Sequence, residues 1–217
     1  MEAACRGRVQ CLLALLEAGC RVYTSNARGL TALHYCLLPS IGTIDADDTI
    51  ACLELLYNAG ANVDVQDNYG NTPLHVAIAT ENFEALLWFL NQNCRLDLEA
   101  RPPDLAPGVF SCLQGRLSLT PLLLALHFSN RRVVQLLVAC GCKYYSLSWV
   151  LPYIQQYTLL HEFMLEALSK PHSLQASCRQ LVRKCIGRDI KKKVEQLTYL
   201  PQSIRRYILC CDELNIV

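Results

Sequence analysis

The sequence has no long apolar run. Nothing in its 217 residues approaches the roughly 20 consecutive apolar positions that a membrane-crossing helix requires. Its opening, MEAACRGRVQ, has no apolar segment of the kind a signal peptide needs. The expectation is a soluble protein of the cytoplasm, with the nucleus as a second compartment and no membrane partner. The chain also lacks any C-x-x-C, although it holds 13 cysteines. Cys140/Cys142 and Cys210/Cys211 are too closely spaced to act as zinc-knuckle pairs. An odd cysteine count without a secretory signal argues against a disulfide framework. Most of the thiols fall on apolar stripes, where they are expected to pack as small hydrophobes. There is no phosphate loop, no G-x-S-x-G and no Cys-His-acid set in a recognisable context. These absences point to a non-catalytic protein with no metal and no cofactor. The one lysine cluster, Lys191–Lys193, has no interleaved aromatics, and it reads as a solvated helix face rather than a nucleic-acid patch.

Apolar residues make up 52% of the chain, which excludes a disordered polymer. The net charge of +1 is unevenly spread. Residues 1–169 carry 10 basic and 15 acidic side chains, while residues 170–217 carry 10 and 4. The break falls at Ser169-Lys170-Pro171-His172-Ser173, where a proline follows an apolar helical pattern, and a module boundary is expected there.

The segment before this break repeats itself. RGLTALHYC (28–36) and YGNTPLHVA (69–77) match each other, and RLSLTPLLLAL (116–126) is a worn third copy. Each is followed by a leucine-rich helix pattern that ends in a small-residue turn. Thr72 to Asn93 spans 21 residues, as does Thr120 to Gly141; Gly19 to Thr31 and Gly60 to Thr72 each span 12. The sum is a period of 33. Thr72 is placed to cap a helix whose first turn accepts Pro73. Gly19, Gly60 and Gly141 suit the left-handed position after a helix, and Asn93 is the next most tolerant residue there.

These motifs resemble the ankyrin repeat family over residues 1–150. The resemblance implies a mainly α solenoid of helix pairs joined by short β-hairpin loops. It also implies that His34 and His75 bridge neighbouring repeats through backbone hydrogen bonds. The third copy departs from the pattern, with Ser118 in place of glycine and Leu123 in place of histidine. Counting back from Gly19 places the missing threonine just ahead of Met1. The chain is therefore expected to begin inside a first helix, as a shortened form of a longer protein.

Two intervals exceed the period. Eight extra residues fall around LPSIGTIDADDT, between paired helices, where Asp45, Asp47 and Asp48 fit no calcium loop and read as a solvated turn. Fifteen more fall around EARPPDLAPGVFSCLQGR, in the hairpin region. Loops on a rigid solenoid are where recognition tends to reside, so Arg101, Pro102, Pro103, Asp104 and Phe110 are candidate target contacts. Beyond Gly141 the repeat lapses. Residues 154–168 have helical spacing and are expected to close the stack within a linker region, 151–170.

The tail, residues 171–213, opens with a helix pattern. On a wheel of 100° per residue, Leu174, Cys178, Leu181, Val182 and Cys185 share an arc of roughly 100°. Ile190, Val194, Leu197, Ile204, Tyr207, Ile208 and Cys211 supply a thin local core, the kind that is marginal without a partner. The tail resembles the SOCS box through Leu174 and Cys178 in L-x-x-x-C spacing, Val182-Arg183, Ile186-Gly187, Leu200-Pro201, and Ile204 to Tyr207. An ankyrin array followed by this box resembles the ankyrin-repeat and SOCS-box family. That resemblance implies a substrate receptor of a ubiquitin ligase. In such a receptor Leu174, Cys178, Leu181 and Val182 meet elongin C, which travels with elongin B. Leu200, Pro201 and Ile204 face a cullin, usually cullin five, with its RING partner. The family pattern Leu-Pro-apolar-Pro is only half present here. The alternative is an ankyrin scaffold without ligase recruitment.

Overall fold

A computed structural model describes residues 1–38, 45–100, 119–142, 158–169 and 174–210. The described residues form twelve helices and no extended strand. They fall into two compact units, one of Met1–Phe89 with Leu98–Asp104 and the other of Leu90–Asp97 with Leu105–Val217.

The first unit contains α1 (Glu2–Cys5), α2 (Val9–Glu17), α3 (Ala32–Tyr35), α4 (Ala46–Asn58), α5 (Pro73–Ala79) and most of α6 (Phe83–Asn91). Short helices pack on short ones, α1 on α3 and α3 on α5, while α2 packs on α4. Two parallel layers result, and Leu33, Leu53, Leu56, Leu74 and Leu86 are fully buried within them.

Local chemistry explains the helix starts. The Thr72 N–H donates to Nδ1 of His75 at 3.2 Å, and the His75 N–H returns a bond to Thr72 Oγ1 at 3.4 Å. Thr31 N–H and His34 Nδ1 repeat the first of these bonds at 3.2 Å. Because Nδ1 of His34 accepts, its proton resides on Nε2, which donates to the Asn71 carbonyl at 3.0 Å. One histidine thus caps its own helix and ties it to the next turn, as the resemblance implied.

The helix ends are equally regular. Gly19, Gly60 and Asn93 take φ of 81°, 93° and 53°. At Gly60 the N–H reaches Tyr57 O at 2.9 Å and the Ala61 N–H reaches Leu56 O at 2.9 Å, the paired bonds of a Schellman cap. Where hairpins were expected, tight turns close at Asn26–Gly29 and Asp67–Gly70. An isolated bridge between Ser25 and Thr31 is the ladder at the first of them. The turns stack: the Asn68 amide donates to Ala27 O at 2.9 Å, and the Gln66 amide to Glu99 O at 3.1 Å.

One expectation is corrected. Asp45, Asp47 and Asp48 do not lie in a turn. Asp45 is the N-cap residue of α4, and Asp47 and Asp48 occupy its first turn. Helix α4 begins fourteen residues before its terminal glycine, whereas α2 begins ten before its own. Half of the eight-residue insertion is therefore an added helical turn. Carboxylates are favoured at that end because they face the positive pole of the helix dipole.

The second unit contains α7 (Pro121–His127), α8 (Arg131–Ala139), α9 (Thr158–Ser169), α10 (Leu174–Ile186), α11 (Ile190–Gln196) and α12 (Gln202–Ile208). Thr120 caps α7 through the Leu123 N–H at 3.4 Å. With Leu123 in place of histidine no side chain returns the bond, so the worn copy keeps half of the box. Gly141, at φ 100°, ends α8 as predicted. Helix α9 covers most of the expected closing segment and buries Met164.

Candidate functional site

Helix α10 runs thirteen residues and ends where Gly187 turns left-handed at φ 75°. Arg183 and Lys184 lie in its last turn, favourable for the dipole. The Lys193 ammonium donates to the Ile186 carbonyl at 2.9 Å and so satisfies one terminal acceptor.

The helix sits in an unusual sense: its apolar side faces out. Leu174 is 80% exposed, Leu181 64% and Val182 37%, and Cys178 and Cys185 are exposed beside them. The arginines of the same helix point inward, with Arg179 5% and Arg183 3% exposed. Arg179 and Arg183 are one turn apart, so they share a face that lies across the wheel from the leucines.

Each arginine has partners that explain its burial. The Arg183 Nη2 donates to Leu90 O at 2.8 Å, near the end of α6, and Nη1 donates to Ile208 O at 2.9 Å, the last carbonyl of α12. Both acceptors lie in final helical turns, where carbonyls lack intrahelical donors and carry partial negative charge. The Arg179 guanidinium lies 4.5 Å from the centre of the Tyr207 ring, a cation–π contact. A buried guanidinium bonded as Arg183 is, to two helix-end carbonyls, is tolerated, where an unmatched one would not be.

Behind the arginines is a small core of Ile190, Val194 and Ile208, with Ile186, Leu200 and Leu209 packed against it. Three of the residues expected to build this core are less buried than expected. Leu197 and Tyr207 are half-buried and Ile204 is exposed one turn before Ile208, while Cys210 is buried. Cys211 lies outside the described residues, as do Arg101, Pro102, Pro103, Asp104 and Phe110. Of the proposed cullin-facing residues, Leu200 is half-buried in the core, while Pro201 and Ile204 are exposed.

The cysteines divide more evenly than expected. Cys36, Cys52, Cys94, Cys142 and Cys210 are buried, but Cys11, Cys20, Cys178 and Cys185 are exposed. Burial pushes the Cys52 thiol up to about 11, and that of Cys36 further up. Both are therefore inert, apolar fillers at neutral pH. Among the described residues no group of three or more His, Cys, Asp or Glu side chains is arranged to hold a metal ion. No described helix is long and apolar enough to cross a membrane.

The ankyrin-repeat family profile (three copies) matches residues 1–101 and 44–148, and the SOCS-box profile matches residues 170–209. The chain belongs to the ankyrin-repeat proteins. Its added SOCS box sets it within the ankyrin-repeat and SOCS-box family. It is 34% identical over 79 residues to human ankyrin repeat and SOCS box protein 16, covering 36% of this chain and 16% of that one. It is 28% identical over 123 residues to the I-Kappa-B like protein I1 of Microplitis demolitor bracovirus, covering 55% of this chain and 62% of that one. The F2 protein of the same virus is 28% identical over 119 residues, covering 54% and 60%. The chain thus spans less than two-thirds of the length of each of these curated relatives.

Proposed function

We propose that this chain is the substrate-binding subunit of an elongin B/C–cullin–RING ubiquitin ligase. The repeats hold a target and the box holds elongin C. The observation that carries this reading is the outward ridge of Leu174, Cys178, Leu181 and Val182 on a helix whose arginines are buried. Water-exposed leucines are costly to keep: covering one fully is worth about 1.5–3 kcal/mol. A helix that turns its arginines inward and its leucines outward is built for a foreign apolar groove. The resemblance in this segment supports elongin C as the owner of that groove.

Pro201 and Ile204, with the adjacent Tyr199, are exposed for a cullin, while Leu200 steadies them from the box core. The insertion holding Arg101, Pro102, Pro103, Asp104 and Phe110 supplies target contact. The chain's contribution to catalysis is proximity: it brings an acceptor lysine of the target near a charged ubiquitin carrier. It performs no bond-making itself.

Co-purification with elongin B/C tests the assignment. The full chain should capture the pair, and Leu174→Ala combined with Cys178→Ala should weaken capture tenfold or more. Undiminished capture by the double variant refutes the ridge as the docking element. If the wild-type chain captures nothing, the reading that survives is an ankyrin scaffold without ligase recruitment.

A further inference from the structure

Cys140 and Cys210 are seventy residues apart in sequence, yet their sulfurs approach to 3.9 Å. Helix ends position both. Cys140 follows the last residue of α8, and Cys210 lies two residues beyond α12, in a left-handed conformation at φ 59°. The Cys210 N–H is held by Tyr207 O at 3.2 Å. Arg183, already fixed by two carbonyls, places Nη1 3.9 Å from the Cys210 sulfur.

The chemical surroundings of the two thiols differ. A hydrogen bond from Cys210 and the charges of Arg183 and Arg179 outweigh burial at Cys140 and draw its pKa below the usual thiol range. Cys210 is driven upward, first by that same hydrogen bond and then by burial. Cys36 and Cys52 have only the upward push of their surroundings to any notable degree. The pair is therefore asymmetric, with one sulfur suited to be a thiolate and the other to remain a thiol.

We propose that Cys140 and Cys210 are an oxidisable dithiol that closes to a disulfide on exposure to a peroxide, tying the end of α8 to the segment after α12. Cys140, the thiol whose pKa is drawn down beside Arg183 and Arg179, is the attacking sulfur, and Cys210, 3.9 Å away, is the resolving one. The Cys140 thiolate attacks one peroxide oxygen, the O–O bond breaks, and the departing hydroxide takes up a proton to leave as water. The product is a sulfenic acid. The Cys210 sulfur gives up its proton and attacks the Cys140 sulfur, the S–O bond breaks, and a second water leaves. Two thiols lose two electrons and one peroxide becomes two waters. Closing to a bond of about 2.05 Å requires each sulfur to move only about 1 Å, within reach of side-chain rotation.

Hydrogen peroxide treatment of the full chain, alkylation of the remaining thiols and non-reducing tryptic mapping test this. The expected product joins VVQLLVACGCK (133–143) to YILCCDELNIV (207–217), has lost two hydrogens, and is reversed by dithiothreitol. Both peptides contain a second cysteine, so the same product must form in a Cys142→Ser, Cys211→Ser chain and vanish in Cys210→Ser. Full alkylation of Cys140 and Cys210 after peroxide has oxidised the exposed Cys11 and Cys20 would overturn the proposal. So would a bond from Cys140 to Cys94. Elongin capture is not part of this readout, so its failure leaves the result standing.

Discussion

Arg183 donates to the carbonyl of Leu90 at 2.8 Å, a residue 93 positions earlier in the chain. With its second bond to Ile208 O at 2.9 Å, this guanidinium joins the final turns of two helices from the last turn of a third. Charge-assisted bonds of this kind are worth about 1.5–3 kcal/mol each. Arg183→Ala removes both charge-assisted bonds, leaving the Leu90 carbonyl with the Asn93 N–H at 3.2 Å and the Ile208 carbonyl with only the Cys210 thiol at 4.0 Å, and is expected to destabilise the chain by about 3 kcal/mol. Arg183→Lys should recover only part of this, because an ammonium cannot fork to two diverging acceptors. Urea denaturation of the three proteins measures the order wild type, lysine, alanine.

The ridge behaves in the opposite way. Leu174 and Leu181 are exposed, so Leu174→Ala and Leu181→Ala should each change stability by no more than about 0.5 kcal/mol. Capture of elongin B/C should still fall. A melting curve alongside the pull-down separates the two effects, and a large loss of stability would mean the leucines pack internally.

His34 predicts a pH dependence. Burial lowers its proton affinity, and this outweighs the Asn71 carbonyl and the Asp67 charge that favour the cation. The unfolded chain therefore binds a proton that the folded chain refuses. Stability is full above the ordinary histidine range, near 6.5, and declines as pH falls below it. His127 is lowered by burial as well, and it adds to the same slope. Urea midpoints between pH 7.5 and 5 should fall, and His34→Gln should flatten part of that fall while lowering the value at pH 7.5.

Gly70 and Gly19 have nearly the same φ, 82° and 81°, but different neighbours. A Cβ at Gly70 would lie 2.6 Å from the Glu99 carbonyl oxygen, whereas one at Gly19 would meet nothing within 4 Å. Alanine at Gly19 should cost about 1 kcal/mol for its left-handed backbone alone. Alanine at Gly70 should cost clearly more, because backbone must shift. Parallel thermal melts compare the two.

What the sequence revealed was local. Thr72-Pro73-His75 announces a capped helix, and glycine twelve residues before it announces the preceding helix end, because both signals act within a few residues. The added turn of α4 was missed for a related reason. Three aspartates suit a loop and a helix start equally well, and helix length is settled by what the helix packs against. The inward arginines were harder still. Arg179 and Arg183 carry an i, i+4 signal, but their acceptors come from Leu90 and Ile208, and no pattern within one helix reports distant carbonyls. The outward position of the leucines was legible because the remaining apolar residues of the tail were too few to cover them.

The orientation of α10 has a consequence for the chain on its own. Whatever visits that greasy strip first will tend to stay, and in a concentrated solution the commonest visitor is another copy. Unaccompanied protein should therefore grow less soluble as its concentration rises, and a stoichiometric companion that shields the strip should keep it dispersed.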